Sequence, residues 1–200
     1  MNQRTLPHHS NTWHVCLTTL NDILVSRWQE DNIETVLRKF SSLALTMLGD
    51  PDAQKRPGAL KTGEHQFSVA GFFMHLPKER ASILVAEDGF PKEQHRLRIP
   101  DDLGHPGWVV KNQKPLLLAN TDEHSDFKQI LKTARMGSAM YTPLVQEGNF
   151  VGQFITASQA RHTYGPDDHI LQQTIANCAA LIYSISTEAT LLGESGTLKL

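Results

Sequence analysis

Cysteine is scarce in this chain: only Cys16 and Cys178 occur in 200 residues, with most of the sequence between them. Such a pair is not the closely spaced framework of a small secreted domain. Both residues fall in segments of helical periodicity, so they read as reduced, buried thiols. Net charge is equally scarce. Nineteen basic residues against twenty-one acidic ones leave -2, which gives no electrostatic footprint for nucleic acid or an anionic membrane. No run approaches the roughly 18 consecutive apolar residues of a spanning helix, and the start, with Pro7, His8 and His9, lacks the apolar stretch of a secretory signal. The expectation is a cytoplasmic protein with no nucleic-acid or membrane partner. A nucleophile elbow, a P-loop and a dinucleotide fingerprint are all missing. The ten histidines scatter without a pair at the i,i+4 spacing of helical metal ligands. No catalytic residue, metal or cofactor is therefore expected.

What the chain does have is enough apolar residue, 40% of the total, for one sizeable core. Trp13, Cys16, Leu17, Leu20, Leu24 and Trp28 recur at steps of three and four, the stripe of an amphipathic helix. A second stripe runs from Ile33 through Val36, Leu37, Phe40 and Leu43 to Leu48 and stops at Gly49 and Pro51. The pattern then becomes β-rich. Ser68 to Leu76 and Ser82 to Ala86 form a predicted hairpin across Pro77 to Arg80, and His95 to Ile99 is a third strand. Gly104 to Asn112 is a short helix, Leu116 to Ala119 a fourth strand, and Phe127 to Ala134 a second short helix. Ser138 to Val145 and Phe150 to Ala157 flank Gln146-Glu147-Gly148-Asn149 as the clearest hairpin of the sequence. A final helix starts near Pro166-Asp167-Asp168, where proline suits the first turn and the carboxylates suit the positive dipole end.

Four stretches in this order resemble the GAF family over about Ile33 to Ile185. They are Leu103-Gly104-His105-Pro106-Gly107-Trp108-Val109-Val110 with Lys114-Pro115-Leu116-Leu117-Leu118; Ser138-Ala139-Met140-Tyr141-Thr142-Pro143-Leu144; Val151-Gly152-Gln153-Phe154; and Tyr164-Gly165-Pro166-Asp167-Asp168-His169-Ile170-Leu171. The resemblance implies an α+β domain: an antiparallel sheet of five or six strands, long helices on one face, and short helices and loops roofing a pocket on the other. It also implies a sensor or regulatory module that binds a small molecule, with an enzyme using the same pocket and a ligand-free protein interaction module as the alternatives. Departures from the family narrow the ligand. Tyr164 and Asp168 match the aromatic and the acid of its cyclic-nucleotide receptors, but His169 replaces the glutamate and Ser158-Gln159-Ala160 holds no asparagine-lysine pair. No cysteine between Cys16 and Cys178 is present to attach a bilin, and two thiols on outer helices are not the machinery of the family's free methionine sulfoxide reductases.

The segment Asn120 to Asp126 has two readings: a capped helix start, or polar contacts from Asn120, Asp122 and His124 into a pocket. On the second reading Trp108, Phe127, Met140 and Tyr141 are its walls and His105 stands at its mouth. Trp108 is expected to plug the space between its helix and the sheet. Leu171, Ile175, Cys178, Ile182 and Ile185 step like the seam of a helix pair, facing either the sheet or a partner helix. With an apolar stripe on the first helix as well, a homodimer through the N- and C-terminal helices is expected, with signalling to a sister subunit or a protein output partner. The expected boundaries are an N-terminal helical extension over 1–32, the GAF-like domain over 33–185, and a flexible tail over 186–200.

Overall fold

The structure, a computed structural model, describes residues 10–26, 32–130 and 135–185. Helix α1 (Ser10–Ser26) precedes α2 (Ile33–Met47), whose start is capped by the Asn32 side chain accepting from the Glu34 amide at 2.9 Å. The buried face of α2 is the stripe read from the sequence, from Ile33 through Phe40 to Ala44. On α1 only Cys16, Leu20 and Ile23 are buried, whereas Trp13, Leu17 and Leu24 face outward. Trp28 and the expected tail lie outside the described residues.

Six strands follow: β1 (Ser68–Leu76), β2 (Ala81–Asp88), β3 (Arg98–Pro100), β4 (Leu116–Leu118), β5 (Ser138–Gln146) and β6 (Asn149–Ser158). They form one antiparallel sheet in the order β3-β2-β1-β6-β5-β4, the expected α+β architecture. The two hairpins meet where β1 pairs with β6, placing Phe72 opposite Phe154 and Phe73 opposite Gln153. Successive side chains alternate faces. Phe72 and Phe154 therefore stack, centroids 4.1 Å apart, in the core beneath α2 and the last helix, α4 (Pro166–Ile185). α1 lies against both of these helices. Asp168 ties α4 down at its first turn, with one carboxylate oxygen accepting from the Gly165 amide at 2.8 Å and the other from Gly49 at 2.7 Å.

The opposite face of the sheet is covered by α3 (Gly104–Asn112) and the segment that follows β4. A Cβ at Gly107 would sit 2.5 Å from the Asp101 carbonyl oxygen, so only glycine lets the helix fold this tightly onto the preceding turn. At about 100° per residue, burying His105, Pro106 and Val109 rotates Trp108 away from the sheet. The indole is 41% exposed rather than a plug, contrary to the sequence expectation. The helix expected from Phe127 to Ala134 does not begin at Phe127: residues 127–130 are irregular, and 131–134 lie outside the described residues. Tertiary hydrogen bonds draw the backbone that follows elsewhere. The Arg135 carbonyl accepts from Gln159 Nε2 at 2.8 Å, and the Met136 carbonyl from Thr121 Oγ1 at 2.6 Å.

One ionic cluster ties three connecting segments together. The Arg161 side chain, 3% exposed, bonds both oxygens of Glu64, the Asp122 carboxylate at 3.0 Å and the Ala59 carbonyl at 3.3 Å. Asp122 also meets Lys61 at 2.7 Å and Arg135 at 3.3 Å. The Lys61 ammonium and then the Arg161 guanidinium hold the Asp122 carboxyl down to about 2, against the opposing effect of its partial burial. The folded pKa lies below the unfolded one. The stability this supplies is therefore complete above about pH 5 and is lost as pH falls through 3.8 toward about 2. Because Asp122 is partly exposed, Asp122→Asn should cost about 1–2 kcal/mol at pH 7 and almost nothing at pH 2, read from urea midpoints at the two pH values.

Candidate functional site

The sheet face beneath α3 carries a cavity because small residues alternate with large ones along it. Gly71 and Ala157 lie between Val69, Phe73 and Ile155, and in β5 Ala139 precedes Tyr141 by two positions on the same face. The space left is about 30 Å³ and is bounded by Val69, Phe73, Tyr141 and Ile155 on the sheet. Phe90, Ile130 and Met136 close it from the sides and above. It is apolar, and none of its lining residues is charged. At that volume it admits a water-sized group; anything larger must push back Ile130 and Met136.

The neighbouring polar groups lie against the lining residues, outside the lining itself, where α3 crosses the sheet. His105, nine-tenths buried, stacks over Tyr141 with ring centroids 6.3 Å apart. It also meets His124 edge to face at 5.6 Å and Phe127 at 6.0 Å. Burial, and then the neighbouring His124, push the His105 imidazole below its usual range, with Asp126 opposing, so the ring is neutral at physiological pH. Its Nδ1 is buried without a hydrogen-bond partner. Gln153, fully buried opposite Phe73, donates its amide to the Pro106 carbonyl at 3.4 Å and leaves its Oε1 unpartnered. Buried polar atoms in this state are uncommon and mark places where water or a ligand completes the bonding. The Tyr141 phenol is wholly buried and held well above its usual pKa by desolvation, so it stays protonated.

The residues singled out from the sequence divide accordingly. His124, Phe127 and Tyr141 come together around the His105 ring, and of these four Tyr141 lines the cavity. Trp108 faces outward on α3. Met140 lies on the other face: its strand neighbour Thr142 and its pairing partner Thr156 both bond Gln172 of α4, and the wall expected from Met140 is supplied by Met136. Asn120 is occupied in the backbone, accepting from the Asp122 amide at 3.1 Å to cap the 3-10 turn Thr121–Glu123, so the capped reading describes it. Asp122 is taken by Lys61, Arg135 and Arg161. Gln153 was missed. The one signal for it was an amide at a strand position whose neighbours on the same face are apolar. A larger hollow, about 650 Å³, is an open groove between α1 and α2 lined by Asp22, Arg38 and Lys39 together with hydroxyls and aliphatic side chains such as Ile23 and Leu43.

The same architecture recurs in solved structures. The GAF domain of a phosphoenolpyruvate-protein phosphotransferase from Coxiella burnetii superposes with a TM-score of 0.69 at 18% identity, over 90% of this chain and 96% of that one. A free methionine-R-sulfoxide reductase from Neisseria meningitidis, solved with its substrate, gives 0.68 at 15% identity over 94% and 99%. A putative GAF sensor protein from Burkholderia vietnamiensis gives 0.61 at 13% identity over 90% and 97%. No curated protein sequence matches significantly. At these identities the superpositions speak for the fold. The sequence itself matches the family model of the GAF domain across residues 59–182, from the loop before β1 to the end of α4, and the chain belongs to the GAF domain family.

Proposed function

We propose that this protein is a sensor module: it binds a small molecule in the cavity beneath α3 and relays occupancy through its helical layer to a sister subunit or a protein partner, without turnover. The observation that carries this reading is the apolar cavity on the α3 face of the sheet, next to whose lining residues Tyr141 and Phe73 lie two residues with buried, unpartnered polar atoms, His105 and Gln153. Binding without turnover is supported by the absence of a nucleophile among the cavity-lining residues. Reductase chemistry of the kind named for the Neisseria meningitidis protein has no thiol to use there, since Cys16 lies on α1 and Cys178 on α4, across the sheet.

A route from cavity to helices runs through Gln172. This fully buried residue of α4 accepts from Thr142 Oγ1 at 2.7 Å and donates to the Met140 carbonyl at 3.2 Å and to Thr156 Oγ1 at 3.0 Å. Thr142 and Thr156 are chain neighbours of Tyr141 and Ile155, which line the cavity. A shift of β5 or β6 caused by a ligand is thus felt by α4 through hydrogen bonds as well as packing. The outward residues of the helical layer, Trp13, Leu17 and Leu24 on α1 with Leu181 on α4, offer an apolar surface on which a second copy would dock.

Three outcomes are expected. Native mass spectrometry of freshly purified protein should show a retained non-protein mass that disappears on denaturation; bare protein alone, together with no response to a metabolite panel, counts against a sensor. Removal of Met1 to Asp31 should lower the mass seen by sedimentation, and an unchanged dimer would remove α1 from the interface. Gln172→Leu should lower unfolding stability by about 2 kcal/mol, because it leaves Thr142 and Thr156 without their partner, and should weaken any ligand-induced change in α4. Chemical denaturation and hydrogen exchange of α4 measure the two effects.

A further inference from the structure

We propose that the groove between α1 and α2 is a contact between two copies of this chain, with α1 of each copy lying over α2 of the other and Asp22 of each copy meeting Arg38 and Lys39 of the other. This contact rests on association through the helical layer, and it names a surface for that association other than the apolar flank of α1.

The two helices bounding the groove run in opposite directions. At one end Lys39 Nζ donates to Ser26 Oγ at 3.4 Å, and at the other Val15 and Met47 both line the hollow. Ile23 and Leu43, both buried, give the hollow an aliphatic floor, and Val15 on its bank is 44% exposed. Helices associate by seating a ridge of side chains in such a groove. At about 100° per residue, Val15, Thr19, Asp22 and Ser26 make one stripe along α1, and Trp13, Leu17 and Leu24 lie about half a turn away. The groove is therefore a second face of the helix.

Charge decides what the groove accepts. Asp22 stands exposed on the α1 bank, and Arg38, exposed, and Lys39, half-buried, stand on the α2 bank. Among the described residues none of the three forms an ion pair, and the Lys39 side chain bonds Ser26 alone. The ordinary i,i+4 partner of Arg38 on its own helix is Glu34, but that carboxylate is held by Arg96 at 2.7 Å. An anion or an anionic membrane drawn to Arg38 and Lys39 would lie against Asp22. A second copy, related by a two-fold axis along the groove, instead sets an acidic bank against a basic one twice over, and its α1 ridge covers the aliphatic floor.

Sedimentation of the full chain at low ionic strength tests this. The wild type should run above the mass of one chain, and high salt should lower that mass by screening the exposed charges. Asp22→Lys, and Arg38→Glu combined with Lys39→Glu, should each raise the dissociation constant about tenfold or more, because a two-fold contact feels every substitution twice. An equimolar mixture of the two variants should regain the wild-type mass, since each brings the charge that the other lacks at both contacts. Circular dichroism and melting curves should match the wild type, as these side chains lie at the surface. If either variant unfolds, the salt dependence of the wild type decides. Variants that keep the wild-type mass, a mixture no heavier than its parts, or a wild-type mass indifferent to salt would each overturn the groove contact while leaving association through the apolar flank. A wild type that sediments as one chain at every concentration would remove both.

Discussion

The pairing of β1 with β6 is the contact on which the rest of the molecule depends. It joins two hairpins that are far apart in sequence into a single sheet, and its register decides what each face displays. With Phe72 opposite Phe154, the two rings stack under the helices; with Phe73 opposite Gln153, the next pair faces α3 and the cavity. A slip of one residue would send the phenylalanine stack to the α3 side and the glutamine amide into the helical core. Hydrophobic burial on one face and polar placement on the other are thus settled by the same set of backbone bonds.

Much of this was readable from the residues because it is local. The α2 stripe, the hairpin around Glu147-Gly148 and the proline start of α4 each need only the spacing of apolar residues and the turn chemistry between them. The resemblance added a single antiparallel sheet with long helices on one of its faces, which periodicity does not encode. Failures came where distant groups competed for a local segment. The pattern from Phe127 has helical spacing, yet Thr121 and Gln159 donate hydrogen bonds to the backbone carbonyls that follow it. Trp108 looked like a plug because tryptophan usually buries itself, but Gly107 and His105 set the rotation of α3.

The candidate site was legible in outline and not in detail. Tyr141, His105, His124 and Phe127 assemble as a cluster, while Asp122 belongs to an ionic knot whose other members, Glu64 and Arg161, come from segments on either side in the sequence. A surface carboxylate and a structural one have the same letter; only the positions of Lys61, Arg135 and Arg161 separate them. Whether Met140 is a wall of the cavity was likewise a question of which strand face it occupies, and Gln172 answers it from the far side of the sheet.

The two outermost strands bear on how this molecule keeps company. β3 and β4 are three residues each, β3 ending in Pro100 with Arg98 in its first position, and β4 following directly on Pro115. Short margins with proline at or next to them and a cation on one offer little unpaired backbone to a strand from another molecule. Runaway edge-to-edge stacking, the hazard of an apolar six-stranded sheet, is thereby discouraged. Contacts between molecules are thereby steered away from the margins of the sheet.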